Sequence, residues 1–436
     1  MNSATTILAK IKNNEFTVGI VGLGYVGLPL AVSFAANQVK TIGFEKSEEK
    51  TSQVNQKINY IGDVKDKELA EVVEKGLLTA TTDFKRLTTC DAILICVPTP
   101  LDRFKKPNMD YIESACIEIG QNMKAGAFIC LESTTYPTTT EDFMLPIIER
   151  ESGLKAGTDF WLAFSPERVD PGNKQFVTRN TPKVLGAMSD EGLKIGKAIY
   201  SYAIDVIHPV SSPKVAEMVK ILENTYRLVN ISLINEMALL CGKMDIDIWE
   251  VIDAAKTKPY GFQAFYPGPG IGGHCIPLDP FYLEHIAKKF NFDLSMIHTA
   301  GHIDMMMPHR MTIKIGTALN RHKKSINGSH ILFLGVAYKP NIADERESPA
   351  LKIMDEVVKK GGLVGYHDPY IPTVKTEDGH MFHSAALTAE TLGEADCIVL
   401  TTKHDSFDVN FIEQEGQLIV DLRNFIKKGS EKVYKL

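Results

Sequence analysis

Short apolar runs bounded by glycine, proline or polar residues recur through the first half of the chain, at 18–21, 39–44, 92–97, 128–131 and 162–164. Runs that are apolar throughout, rather than alternating, predict strands buried on both faces of a parallel sheet. Two further runs, 183–187 and 206–208, are expected as edge strands. Residues 1–15 read as a polar lead-in of one or two helical turns, and 67–74 as a helix. The period then changes. Val215, Met218, Val219, Leu222, Tyr226, Val229 and Leu233 recur at steps of three and four, which predicts one helix over 211–244. Ser211 or Ser212 can cap it, with Pro213 in its first turn. At 1.5 Å per residue it spans roughly 50 Å, long enough to bridge two domains and offer a dimer surface. Helices at 246–256, 280–289 and 296–322 follow, then a polar linker at 323–328. A second alternation begins there, with strands at 331–335, 363–367, 397–400 and 418–421 and a helix at 349–360 opened by Ser348. The pattern predicts an α/β protein with segments 1–210, 211–322 and 323–436: two parallel-sheet domains joined by a central helical domain with one long helix.

The first strand runs directly into Gly22-Leu-Gly-Tyr-Val-Gly27, a helix follows, and the second strand ends at Glu45. Strand, G-x-G-x-x-G, helix, strand and acid in that order form the dinucleotide-binding fingerprint and make both sheet domains Rossmann-like in expectation. Gly22 permits the tight turn, Gly24 lets pyrophosphate approach the helix N-terminus, and Gly27 allows helix and strand to pack closely. An acid at position 45 suits the ribose 2′-hydroxyl of NAD, although Lys46 beside it is a cation able to meet a 2′-phosphate. Later strands end in Pro98-Thr-Pro100, in Glu132-Ser-Thr-Thr135 and in Ser165-Pro-Glu-Arg168. Ligands of parallel sheets bind at the carboxyl ends of strands, so these loops are expected to face the dinucleotide. The charged loop 337–348 holds the same position in the second sheet.

Between the two sheets lies Phe265-Tyr-Pro-Gly-Pro-Gly-Ile-Gly-Gly-His-Cys-Ile-Pro-Leu-Asp-Pro280. Four glycines and four prolines exclude a helix interior or a central strand and predict a shaped loop. Cys275 on that loop, four residues before Asp279, is a candidate nucleophile. On the long helix Lys220 and Asn224 share a face.

Composition narrows the classes. Hydrophobic residues make up 44% of the 436 and charged residues 23%, with net charge −6, which is ordinary for a globular protein and argues against a nucleic-acid partner. Residues 1–15 lack the apolar core of a signal peptide, and no apolar run is long enough to span a bilayer, so a cytoplasmic protein is expected. The seven cysteines are dispersed, with no C-x-x-C pair, which fits reduced thiols and no metal site. His298, His302 and His309 show no metal-ligand pattern with carboxylates and read as structural.

These motifs together resemble the UDP-glucose/UDP-N-acetylhexosamine 6-dehydrogenase family, over the whole chain and in the same order. The matching stretches are 22–27, 97–100, 132–135, 165–168, the Lys220/Asn224 helix, 272–279 and 344–348. The resemblance implies oxidation of a nucleotide-sugar C6 hydroxymethyl to a carboxylate with two NAD and one water. It implies Cys275 as the nucleophile that holds the aldehyde and then a thioester. It implies Lys220 and Asn224 at the C6 oxygen, Thr134 holding water, and either Asp279 or Glu167 activating the hydrolytic water. For NAD it implies Gly22, Gly24, Tyr25, Val26, Gly27, Glu45, Thr99, Thr134 and Arg346. For the UDP-sugar it implies Glu167, Lys220, Asn224, Tyr266, Gly270, Tyr338, Lys339 and Arg423. It further implies a homodimer or higher homo-oligomer through the central segment and a role in surface polysaccharide synthesis. Thr138 departs from the family, standing where many relatives have glycine. Residues 257–270 and His274 resemble the UDP-N-acetylglucosamine branch, with UDP-N-acetylmannosamine and UDP-glucose as the competing substrates. Two other classes remain. A two-electron 3-hydroxy acid dehydrogenase would need neither Cys275 nor residues 329–436. A non-catalytic nucleotide-binding protein would not need Glu167, Lys220, Asn224, Cys275 and Asp279 together.

Overall fold

The apolar runs form strands. In a computed structural model, which describes residues 3–62, 64–100, 107–170, 173, 175–273 and 276–436, the chain divides into two units. One is Met1–Glu223 with Phe281–Phe292, the other Asn224–Pro280 with Asp293–Leu436.

The first unit carries an eight-stranded sheet made of β1 (Thr17–Val21), β2 (Lys40–Phe44), β3 (Leu78–Thr81), β4 (Ala92–Ile95), β5 (Phe128–Leu131), β6 (Trp161–Phe164), β7 (Lys183–Ala187) and β8 (Ile207–Val210). Their order is β3-β2-β1-β4-β5-β6-β7-β8. All neighbours are parallel except β6 and β7. The first six strands have the doubly wound 3-2-1-4-5-6 order, with its switch point between β1 and β4. Alternate residues face opposite cores. Ala92, Leu94, Phe128 and Cys130 join one cluster, and Ile93, Ile95, Ile129 and Leu131 the other, as the two-residue period of a strand requires. Val21 pairs with Phe44 and with Ile95, Ile95 with Leu131, and Leu131 with Phe164. The loops that begin at Gly22, Glu45, Cys96, Glu132 and Ser165 therefore leave the sheet along one edge.

Two expectations are corrected here. The lead-in is a ten-residue helix, Ser3–Lys12, because Ala4, Ile7 and Ile11 bury one face of it. Lys183–Ala187 is an interior strand, bonded to β6 and β8. A lysine opening a strand reads as an edge device, but this ammonium is turned inward to Glu132. Helices Asp110–Asn122, Leu145–Ser152 and Asp190–Tyr200 were not evident in the apolar pattern and provide crossovers.

The second unit carries a parallel sheet of β9 (His330–Leu334), β10 (Leu363–His367), β13 (Cys397–Leu400), β14 (Ile419–Asp421) and β15 (Val433–Lys435) in the order β10-β9-β13-β14-β15. The small hairpin β11 (Thr373–Lys375) and β12 (Met381–His383) forms a separate two-stranded sheet. One core includes Ile331, Phe333 and Val399 together with Met307, Met311 and Ile315 of helix Ser295–Arg321. Within this unit His309 Nδ1 lies 3.0 Å from Glu356 Oε2.

The long helix is Pro213–Met244, but its inward face is not the apolar stripe that predicts it. Leu222, Tyr226 and Leu233 are 64%, 46% and 51% exposed, whereas Glu217, Ile221, Asn224, Leu228, Ser232, Asn235 and Ala238 are buried. Among the described residues no helix is long and apolar enough to cross a membrane.

Candidate active site

The dinucleotide half is built at the carboxyl ends of β1, β2, β4 and β5. Gly22 adopts φ +93°, and a Cβ there would stand 2.8 Å from the Cys96 carbonyl oxygen. A Cβ on Gly27 would reach 1.9 Å from the Gly22 oxygen, so the helix can start here only on glycine. Beside Gly24 there is open space, as a pyrophosphate against the backbone requires. Val26 precedes the helix Gly27–Ala36 at its N-cap, and Tyr25 is largely exposed. Glu45 accepts from Leu23 N at 3.1 Å and from Ser47 N at 3.2 Å, which sets its carboxylate against the glycine loop. Lys46 donates to Ser114 Oγ at 2.7 Å. Tyr60 was not anticipated. Its hydroxyl donates to Leu23 O at 2.9 Å, and burial, then Glu45, pushes the phenol well above its usual range. The glycine cradle and Glu45 fit a dinucleotide.

Ser133 Oγ donates to Val97 O at 2.7 Å and so ties the loop after β5 to the loop of Thr99. Tyr282 donates its hydroxyl to Thr99 O. Within residues 131–137 Thr134 is half-buried and its neighbours are buried. Beneath it Glu132 is fully buried, 2.5 Å from Lys183 Nζ and bonded to the Tyr200 hydroxyl. Burial raises the proton affinity of Glu132, and Lys183 opposes that rise.

Lys183 also donates to Pro166 O at 3.4 Å, one residue before Glu167. Glu167 Oε1 accepts from Arg168 N and Val169 N at 2.8 and 2.7 Å. Arg168 in turn pairs with Glu223 of the long helix at 2.6 Å. This strap joins the Glu167 loop to the helix that carries the half-buried Lys220.

In the second unit Asn224 is buried and donates Nδ2 to Asp279 Oδ2 at 2.5 Å. Cys275 and His274 lie outside the described residues. The glycine-rich loop before them is held from several sides. Gly268 N donates to Asn235 Oδ1 at 2.9 Å and Ile271 N to Asp304 Oδ1 at 2.7 Å. Gly270 stands at φ +137° against Pro349. Gly273 N donates to Arg346 O at 3.0 Å, and Tyr338 packs on Gly272 and Gly273. Tyr266 stacks on Trp249 with ring centroids 6.1 Å apart.

A Cβ on Gly268 would lie 2.2 Å from Arg423 Nη1. Arg423 donates Nε to Thr401 O at 3.2 Å, and no carboxylate among the described residues pairs with it. Burial lowers its proton affinity to about 10, so the guanidinium stays charged at neutral pH. A sheltered guanidinium without a counter-ion is a seat for a phosphate or carboxylate. Lys339 is half-buried in the loop after β9. That loop is fixed by Asp368, which accepts from Val336 N and Ala337 N at 2.7 and 3.0 Å and lies 3.1 Å from His404 Nε2. Asn341 N donates to His404 Nδ1 at 3.0 Å. Neither Asp368 nor His404 has a local motif, so nothing in the sequence marks them. Arg346 forms a two-pronged pair with Asp344, at 2.9 and 2.6 Å.

The first unit contains Gly22 to Gly27, Glu45, Thr99, Thr134, Glu167 and Lys220. The second contains Asn224, Asp279, Tyr266, Gly270, Tyr338, Lys339, Arg346 and Arg423.

The NAD-binding domain of the UDP-glucose/GDP-mannose dehydrogenase family matches residues 16–204, its central domain 214–305 and its UDP-binding domain 332–428. A UDP-N-acetyl-D-glucosamine 6-dehydrogenase of Pseudomonas aeruginosa is 33% identical over 395 residues, 90% of this chain and 92% of that protein. The solved structure of a UDP-D-ManNAc dehydrogenase from Pyrococcus horikoshii superposes with TM-score 0.88 at 31% identity, covering 96% of this chain and 98% of that one. An NDP-N-acetyl-D-galactosaminuronic acid dehydrogenase from Methanosarcina mazei Go1 gives TM-score 0.81 at 29% identity, over 100% of this chain and 97% of that one. The chain belongs to the UDP-glucose/GDP-mannose dehydrogenase family and is an NAD-dependent UDP-sugar dehydrogenase.

Proposed function

We propose that the chain oxidises the C6 hydroxymethyl of UDP-N-acetyl-D-glucosamine to the uronic acid, for surface polysaccharide synthesis. NAD, when bound, accepts a hydride in each of two oxidations. The buried Asn224–Asp279 pair, whose carboxylate lies four residues beyond Cys275 in the chain, carries the reading. A carboxylate held by an amide at a thiol-bearing loop suits an acyl intermediate that water must open. The Cys275 thiolate adds to the C6 aldehyde left by the first oxidation. The second oxidation turns that thiohemiacetal into a thioester, and water hydrolyses it to carboxylate and thiol. Lys220 and Asn224 stabilise negative charge on the C6 oxygen. Thr134 holds water, and Asp279 or Glu167 takes its proton. Tyr266, Gly270, Tyr338, Lys339 and Arg423 bind the UDP-sugar, and Arg346 contributes to the cofactor side.

We assign the roles of cofactor binding, helical association and UDP-sugar binding to segments 1–210, 211–322 and 323–436. The exposed apolar stripe at Leu222, Tyr226 and Leu233 supports a homodimer or higher homo-oligomer, which sedimentation at the mass of a single chain would exclude. The sugar rests on the likeness of residues 257–270 to one branch and on the P. aeruginosa relative. NADH formed per limiting UDP-N-acetylglucosamine, UDP-N-acetylmannosamine and UDP-glucose tests it. Two NADH from the first and little from the others is expected. Two from another sugar would keep the chemistry and change the substrate, and none from any would remove the catalytic reading.

A further inference from the structure

Glu217 is the one carboxylate on the buried face of the first turns of the long helix, with no exposed surface. Among the described residues it has no basic partner. Instead Oε2 accepts from Thr138 N at 2.6 Å, and Oε1 accepts from Thr140 N at 2.9 Å and from Thr140 Oγ1 at 2.7 Å. These donors open the π-helical turn Thr139–Met144. Thr138 stands at φ +80°, a left-handed conformation that a β-branched residue adopts only when its surroundings impose it. From the same turn Thr139 Oγ1 bonds back to Thr135 Oγ1 at 2.8 Å and to Tyr136 O at 2.7 Å. Those residues directly follow Thr134. Glu217 also lies one helical turn before Lys220. All these groups belong to the first unit.

We propose that Glu217 is a positioning residue: its carboxylate holds the Thr134 loop in place against the helix turn that carries Lys220. The inference rests on the roles given above to Thr134 and Lys220. A buried carboxylate that only filled space would be costly and replaceable by an apolar residue. One that satisfies two backbone N–H groups and a hydroxyl fixes a loop to within a fraction of an ångström, which is what a shared cofactor and water site needs.

The test uses the full chain, with NAD affinity titrated by tryptophan fluorescence beside initial rates with UDP-N-acetylglucosamine. Glu217→Gln turns an amide donor toward the converging N–H groups. Thr140→Val removes one bond of the three and spares the backbone. Glu217→Gln is expected to weaken NAD binding and lower kcat by about tenfold each, and Thr140→Val by about threefold, for losses of one to two hydrogen bonds. The UDP-sugar KM should stay within about twofold in both. NAD affinity and kcat within about twofold of wild type, whatever the melting temperature, would overturn the proposal and leave Glu217 a fold element. If Glu217→Gln fails to fold, Thr140→Val decides by the same two readouts. If the wild type makes no NADH from any sugar, the oxidation reading falls, and the NAD titration alone still decides the positioning role.

Discussion

At Lys183 an ammonium lies inside the protein, 2.5 Å from Glu132, with Tyr200 on the other carboxylate oxygen. Removing one partner of such a pair leaves an uncompensated buried charge. Lys183→Met should therefore lower unfolding free energy by about 3–5 kcal/mol, read as a drop in urea midpoint at constant m-value. A loss under about 1 kcal/mol would show that Glu132 takes up a proton at little cost. Glu217 makes a second prediction at this scale. Burial raises it from 4.5 to about 7, against the three donors that lower it, with Glu141 adding a further rise. An acid with a raised folded value binds more protons folded than unfolded, so its contribution to stability is lost as pH climbs from 4.5 through 7. The difference in unfolding free energy between wild type and Glu217→Gln should shrink by about 2–3 kcal/mol from pH 5 to pH 8. A flat difference would mean that Glu217 carries its charge without a desolvation cost.

The loop 265–273 shows how an element can be dictated by what lies against it. Its glycines and prolines predict a loop, but the need for glycine at 268 comes from the Arg423 guanidinium 155 positions later. Gly268→Ala would put a methyl on that guanidinium. Because the guanidinium ends a flexible side chain, it should move and the fold should survive. The expected result is a UDP-sugar KM about tenfold higher, about 1.4 kcal/mol, with NAD affinity unchanged. Unaltered UDP-sugar affinity would remove Arg423 from the sugar site. The long helix was legible as a helix because its apolar residues recur at helical steps. Which side faces inward was not. The apolar stripe stays exposed within one chain, and the inward side carries Glu217, Asn224 and Asn235, each hydrogen-bonded to a group far away in sequence.

At the scale of the whole molecule the dinucleotide cradle belongs to one unit and the Asn224–Asp279 pair to the other. In the proposed mechanism a covalent hold on the aldehyde would keep the substrate bound between two cofactor turnovers. Cys275→Ser should replace the thioester with an oxygen ester, a slower acyl donor. With NAD and substrate an adduct of the sugar nucleotide should accumulate on the protein, visible by intact mass. Full turnover without adduct would remove Cys275 as nucleophile.

Local chemistry wrote some of this into the chain directly. Buried parallel strands need continuous apolar runs, a dinucleotide turn needs glycines at fixed offsets, and a reactive thiol needs a shaped loop. Each requirement acts within a few residues, so the two sheets, the cofactor loop, the long helix and the glycine- and proline-rich loop 265–273 were readable from sequence. The placement of β7 inside the first sheet, the inward side of the long helix, the Glu217 tie to Thr138 and Thr140, and the Asp368–His404 support of the Lys339 loop were not. Each depends on a partner distant in the chain, and a buried polar group reveals its purpose only where folding brings its hydrogen-bond partner to it.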